Sequence, residues 1–392
     1  MRLIASVKPN RSSGKCLLRV CYFGTYRAEY SRNQIMLEGL RCAGADVVEC
    51  HAPLWASIED RVQAASGGWV NARFWVRVLR TYLALLDKYR RVGDYDVMVV
   101  GYPGQFDVYM ARLLTWLRRK PLAWDVFMSI YLIAVERGLN VHSPLTVWAI
   151  RQVERFACRL PDRLILDTAE YVEWFHRTHG VEPARFRLVP TGADDRVYKA
   201  VDAPLPDSGH FTLIYYGTFI PNHGVLTIIE AAHLLANEPA VRFVLIGRGP
   251  DKDAALALAN QYHLDNVIFV DWVEREELPM HVARADVCLG VFGTTPQSLM
   301  TVQNKIYEAL AMRKPLITAD SPTVRAVFRH LEHVFLCERA NPQALADAIR
   351  ALQCDPALRQ RLAENGYRLF HAQFDLMHNG QRYAAHLQEL VS

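Results

Sequence analysis

Short apolar runs alternate along this chain with longer stretches whose apolar residues recur every three or four positions. Runs at 16–24, 45–51, 95–101, 122–127, 163–168 and 186–190 have the length and composition of buried strands. Stretches such as 32–44 and 106–119 predict amphipathic helices between them. The alternation then starts again, with strands expected at 212–216, 242–246, 267–271, 286–291, 315–318 and 334–337. Helices follow these, including 342–353 and 356–370. Continuous apolar strands separated by helices imply parallel sheets covered on both faces.

Thr191-Gly192-Ala193-Asp194-Asp195, followed by a Pro- and Asp-rich stretch up to Gly209, breaks the pattern. The expected fold class is therefore α/β, with two doubly wound, Rossmann-like parallel-sheet domains facing each other across a cleft. Their bounds are 1–195 and 210–375, with 196–209 as linker. A last helix begins near 376, after the second domain's strands are used up, and 376–392 is expected to cross back to the first domain. Such sheets bind ligands outside the carboxyl ends of their strands, so the site is expected between the domains.

Composition narrows this little. A chain of 392 residues, 51% hydrophobic and 22% charged, suits two globular domains. No apolar run reaches the length of a membrane span, and no apolar block sits among Arg2, Lys8, Arg11 and Lys15 to make a secretory signal. A cytoplasmic protein is the expectation. Eight cysteines include no Cys-x-x-Cys pair, and Cys16, Cys21, Cys50, Cys288 and Cys337 fall on expected strands, which suits reduced core residues.

Charge is uneven. Residues 1–200 hold 29 Lys and Arg against 20 Asp and Glu, and the remainder hold 16 against 21. A basic first half suits a phosphate or a lipid surface at the inner membrane face, and solvated arginine-rich helices explain it equally. In 106–119, Phe106, Tyr109, Met110, Leu113 and Leu117 share one stripe, followed by Arg118, Arg119 and Lys120. Such a face lies on a membrane or packs on its own sheet. Nothing points to nucleic acid.

Candidate chemistry clusters in the second half. Gln303 to Ala311 reads as a helix carrying Lys305 and Glu308, three residues apart and so on one face. A helix start attracts a phosphate, so Lys305 and the helix start could hold a diphosphate while Glu308 accepts from ribose hydroxyls. Ile306 and Leu310 mark the buried side, which leaves Lys305 and Glu308 off the core stripe. The alternative is an intrahelical salt bridge.

Gly217 ends a strand and Gly224 opens a helix, with Thr218 and His223 between them, so this loop's amides could reach an anion or serve as an ordinary β–α turn. In the first half, Gly24 follows the first strand, with Arg27 able to contact phosphate. Asp125 ends an apolar strand ahead of Ser129; it could act as a base or cap the next helix. Asp94-Tyr95-Asp96 and Asp251-Lys252-Asp253 have the spacing of a metal-binding pair, but one precedes a strand and the other opens a helix. No metal is assigned to either, and no cofactor is expected.

Together these segments resemble the family 4 (group 1) glycosyltransferases, which have the GT-B fold. The likeness is strongest from Tyr215 to Asp320 and at Leu188-Val189-Pro190-Thr191-Gly192-Ala193-Asp194. Asn304-Lys305-Ile306-Tyr307-Glu308-Ala309-Leu310-Ala311 is similar to a variant with Asn-Lys ahead of the glutamate. The resemblance implies a retaining, metal-independent hexosyltransferase acting on a nucleotide-diphosphate sugar and a carbohydrate or lipid-linked acceptor. It implies polysaccharide or glycolipid synthesis.

By the same resemblance Glu308 would bind ribose, Val273 the base, and Asn304, Lys305 and Thr301 the diphosphate region. Gly24, Gly217, Thr218 and His223 would complete the donor side. Arg27 and Ser129 fall on the acceptor side, with Lys305 and Asp125 as catalytic candidates. Two departures stand out. Met300 occupies the place of a common glutamate, and Thr218 and His223 replace a common arginine and lysine, so Lys305 would neutralise the leaving diphosphate with a protonated His223 helping. A sugar-nucleotide epimerase and a non-catalytic carbohydrate-binding scaffold are the rival readings.

Overall fold

The structure, a computed structural model, describes residues 17–54, 72–201 and 209–392. Cys16, the basic N-terminal residues before it and the 202–208 part of the linker lie outside the described residues.

The first domain has six parallel strands: β1 (Arg19–Gly24), β2 (Asp46–His51), β3 (Val97–Val100), β4 (Leu122–Asp125), β5 (Arg163–Leu166) and β6 (Phe186–Leu188). Their order in the sheet is β2-β1-β3-β4-β5-β6. The helices are α1 (Ser31–Cys42), α2 (Ala72–Arg91), α3 (Asp107–Arg118), α4 (Ile130–Glu136), α5 (Leu139–His142), α6 (Pro144–Ala157) and α7 (Ala169–His179).

The second domain repeats the plan with β7 (Phe211–Tyr216), β8 (Val241–Ile246), β9 (Val267–Val270), β10 (Val287–Leu289), β11 (Leu316–Ala319) and β12 (Phe335–Cys337). Its order is β12-β11-β10-β7-β8-β9. Its helices are α8 (Val225–Leu234), α9 (Lys252–Gln261), α10 (Leu278–Ala283), α11 (Pro296–Met300), α12 (Asn304–Ala311), α13 (Pro322–Val327), α14 (Pro342–Cys354) and α15 (Pro356–Gln373). The last helix, α16 (Leu376–Val391), packs along α1 of the first domain, where Gly39 and Gly380 bring the two backbones together.

All twelve expected strands are present, and central ones such as β3 and β4 are buried on both faces. Helices α2 and α6 were not singled out in the sequence. Strand order reverses at β1/β3 and at β7/β10, and the crevices open at those two points. Five buried cysteines, Cys21, Cys50, Cys158, Cys288 and Cys337, are unpaired. Among the described residues no helix is long and apolar enough to cross a membrane.

Candidate functional site

The second domain's crevice is built by two loops pressed together. One follows β7 and the other follows β10. A Cβ on Gly224 would come 2.5 Å from the Gly293 nitrogen, so only glycine lets these backbones meet, and Phe292 N donates to His223 O at 2.9 Å. Gly224 itself has φ +65 and starts α8.

Helix α12 enters this crevice with its first turn. Lys305 is 5% exposed, and its Nζ has no hydrogen-bond partner among the described residues. The ammonium lies 3.9 Å from the centre of the Tyr215 ring, and a Cβ on Gly217 would be 3.2 Å from it. Burial pulls the Lys305 ammonium down to about 7, and Glu308 opposes the shift.

Glu308, 6% exposed, is pushed up to about 7 by burial, against the hydroxyls of Tyr216 and Tyr198 and the charges of Lys305 and Arg275. Both groups are thus buried, although they lie off the Ile306–Leu310 stripe, because α12 is covered on every side. The alternative reading, an intrahelical salt bridge, is not made: Lys305 Nζ has no hydrogen-bond partner among the described residues.

His223 corrects one expectation. Its Nδ1 lies 2.6 Å from Thr218 O and 2.8 Å from Tyr215 Oη, and burial together with Lys305 holds the imidazole well below its usual range. It is neutral and cannot supply the second positive charge. Lys305 is left as the cation next to Gly217.

Thr301 donates to Gln297 O at 3.0 Å, and Val273, on the loop after β9, packs against the cluster containing Ile306 and Tyr216. Asn304 is half-buried at the first position of α12.

The first domain departs further from expectation. Asp125 neither caps a helix nor faces the crevice. It is fully buried and takes two bonds from Arg32, Nε to Oδ2 at 2.9 Å and Nη2 to Oδ1 at 3.0 Å. Burial pushes its carboxyl up and Arg32 pulls it back, while Asp125 raises the guanidinium; this bidentate geometry makes an ionised pair.

Ser129 is also corrected. Its hydroxyl caps α4 by accepting from Leu132 N and donates to the buried Glu154, so it presents nothing to an acceptor. The Thr25 amide beside Gly24 donates to Asp107 Oδ2 at 2.8 Å, so that amide is already taken by the protein's own carboxylate. Arg27 is half-buried with its Nε unpartnered, and no contact joins it to Lys305.

Asp96 accepts from Arg19 N at 2.7 Å and Asp94 pairs with Lys120, while Asp251 and Asp253 open α9. Among the described residues no three His, Cys, Asp or Glu side chains gather as a metal site.

Sequence reasoning missed four groups at the domain boundary. Asp167 follows β5 at the carboxyl edge of the first sheet; it is 8% exposed, neither carboxyl oxygen has a hydrogen-bond partner among the described residues, and burial pushes it up to about 7. Next to it Thr168 Oγ1 donates to Met300 O at 2.6 Å, across the boundary. Glu136 accepts from Gln297 N at 2.8 Å and from Asn222 Nδ2 at 3.2 Å. Arg275 reaches Gln34 Oε1 at 2.5 Å. The signal for Asp167 was available: Leu164-Ile165-Leu166-Asp167 puts a carboxylate just past an apolar strand, the same signal that drew attention to Asp125.

The family model of glycosyl transferases group 1 matches residues 200–369, the domain that holds Lys305 and Glu308. The alpha-D-kanosaminyltransferase of Streptomyces kanamyceticus is 26% identical over 285 residues, covering 69% of this chain and 71% of that protein. A lipopolysaccharide core biosynthesis glycosyltransferase, LpsE of Rhizobium meliloti, is 28% identical over 159 residues, covering 40% of this chain and 44% of its own. The structure of Anabaena HepE, solved in complex with UDP, superposes with a TM-score of 0.69 at 15% identity over 96% of this chain and all of that one. The fold is GT-B, and within it residues 200–369 resemble the group 1 glycosyl transferases.

Proposed function

We propose that this protein is a retaining glycosyltransferase that moves a sugar from a nucleotide-diphosphate donor to a hydroxyl of a carbohydrate or lipid-linked acceptor, without a metal. The observation that carries the reading is Lys305, a buried cation with no hydrogen-bond partner at a helix start, beside Glu308. Burying a cation without a partner is unfavourable, and a diphosphate at Gly217 and the α12 start would satisfy it. The names of the relatives support a sugar transferase, and that of LpsE supports a role in lipopolysaccharide core synthesis.

In this reading the bond from the anomeric carbon to the diphosphate breaks, and the electron pair leaves with the nucleoside diphosphate. Lys305 and the amides at the start of α12 offset the charge that develops there. The acceptor oxygen attacks from the same face, and its proton passes to a diphosphate oxygen. Glu308 holds the ribose. Asp167, exposed when the domains part and the Thr168–Met300 bond breaks, accepts from a sugar hydroxyl. Domain closure excludes water.

Lys305→Ala should lower turnover roughly 10- to 150-fold, the loss of one charge-assisted contact. Steady-state assay with the donor identified by a thermal-shift panel of UDP-, GDP- and ADP-sugars checks this; wild-type turnover would remove Lys305 from the chemistry. Glu308→Gln should weaken nucleotide binding by about 5- to 30-fold with less effect on turnover at saturating donor. Titration calorimetry showing unchanged affinity would make Glu308 structural. NMR of the donor alone separates transfer from epimerisation, which needs no acceptor.

A further inference from the structure

We propose that a notch on the flank of the first domain binds an acidic glycan, with a sugar ring against Tyr131 and Trp174 and the sugar's carboxylate or phosphate on Arg151 and Arg177. The notch lies between α4, α6 and α7 and has a volume of about 370 Å³, within the range of small-ligand sites.

Residue spacing builds it. Tyr131 and Val135 are one turn apart on α4, and Trp174 and Arg177 are three residues apart on α7, so each pair shares a face. Arg151 reaches in from α6. The Tyr131 and Trp174 rings are half-buried, with centres 6.3 Å apart and planes at 32°, so they form one tilted aromatic wall. That wall is braced from behind. His179, 1% exposed, meets both rings edge-on, at 6.0 Å from Tyr131 and 5.5 Å from Trp174. The fully buried Glu154 holds His179 Nε2 at 3.0 Å and accepts from Ile130 N, just before Tyr131, at 2.8 Å. The rings are thus fixed before a ligand arrives, which lowers the entropic cost of binding.

Chemistry selects the occupant. Half-exposed aromatic faces accept the C–H side of a sugar ring. Arg151 makes no ion pair among the described residues; it donates to Thr178 O at 3.2 Å and lies 5.6 Å from the centre of the Tyr131 ring. Arg177 pairs with the exposed Glu173 on its own helix, a contact that water and salt loosen. Guanidinium forks match a carboxylate or a phosphate. A neutral sugar would leave both forks unused.

The notch adjoins the crevice. Glu136, the residue after Val135, accepts from Gln297 N and Asn222 Nδ2 of the second domain. Tyr131 is therefore about 8 Å from that contact along α4. An acceptor glycan with its reacting end in the crevice would reach the notch over this helix. The proposal deepens the acceptor side of the reading above and rests on it for its role. Its test uses no donor, so the two fail separately.

The test is titration calorimetry of the full chain. Trigalacturonate supplies carboxylates and glucose 6-phosphate a phosphate, while maltotriose and inorganic phosphate stand for the neutral glycan and the bare anion. The expected result is saturable binding of trigalacturonate or glucose 6-phosphate, the tighter naming the anion, with maltotriose and inorganic phosphate at least about tenfold weaker. Arg151→Gln with Arg177→Gln should lower that affinity at least about tenfold, and Tyr131→Ala should also weaken it. Should Tyr131→Ala fail to fold, the two surface arginines carry the test. Lys305→Ala should leave glycan binding unchanged, because the notch lies outside the second domain's crevice. Binding that survives loss of both arginines, that disappears with Lys305→Ala instead, or that maltotriose or inorganic phosphate equals would overturn the proposal, as would no binding of either acidic probe.

Discussion

Asp125→Ala is expected to lower folding stability by about 3–5 kcal/mol, because it strands the buried Arg32 guanidinium without its carboxylate. Arg32 is fully enclosed. It lies 5.2 Å from the centre of the Phe127 ring and also donates to Val189 O at 2.8 Å, so it ties the end of β4 to the chain just beyond β6. The charge cannot be lost from an arginine. Removing both charges should hurt less: Arg32→Met with Asp125→Leu is expected to be more stable than Asp125→Ala alone, the mark of a coupled buried pair. Denaturant titrations of the two variants check this through their midpoints at unchanged slope. Should Asp125→Ala melt with the parent yet lose turnover, the carboxylate would be the base after all and the ion pair incidental.

That correction shows where the sequence was legible. Strands such as Val97–Val100 and Leu316–Ala319 were readable because a parallel sheet buries both faces, leaving continuous apolar runs with no competing signal. The helix carrying Lys305 and Glu308 was readable too, since three-residue spacing fixes them to one face whatever surrounds them.

What lies around such groups was not readable, because it comes from residues far apart in the chain. Asp125 and Asp167 follow the same kind of apolar strand, and sequence gives no means of telling them apart. Arg32, which chose Asp125 as its partner, lies 93 residues upstream on α1. His223 had the right spacing for a phosphate ligand, but its neutrality comes from its burial and from the nearby Lys305. The apolar stripe of α3 was ambiguous for another reason. An apolar stripe predicts burial without saying whether protein or lipid covers it.

Between pH 4 and pH 8 the stability difference between Asp167→Asn and the parent is expected to shift by about 2–4 kcal/mol in favour of the variant. The usual aspartate value is 3.8, and burial pushes Asp167 up to about 7. Below the unfolded value both states are protonated and the folded protein bears no penalty. As pH rises through 7, the unfolded chain has already released its proton, and the fold must ionise a carboxylate whose two oxygens lack partners. Stability present at low pH is therefore lost across that window. Asparagine carries no charge at any pH, and its own cost of burial cancels when the two ends of the window are compared. Turnover should fall in the same variant, because a neutral amide replaces the acceptor for a sugar hydroxyl, so stability gained and activity lost would appear together. Parallel melts at the two pH values, with turnover measured beside them, decide the matter. A flat difference would mean that the carboxylate is already compensated in the fold. The full swing with unchanged turnover would leave Asp167 a buried acid at the domain boundary with no part in sugar recognition.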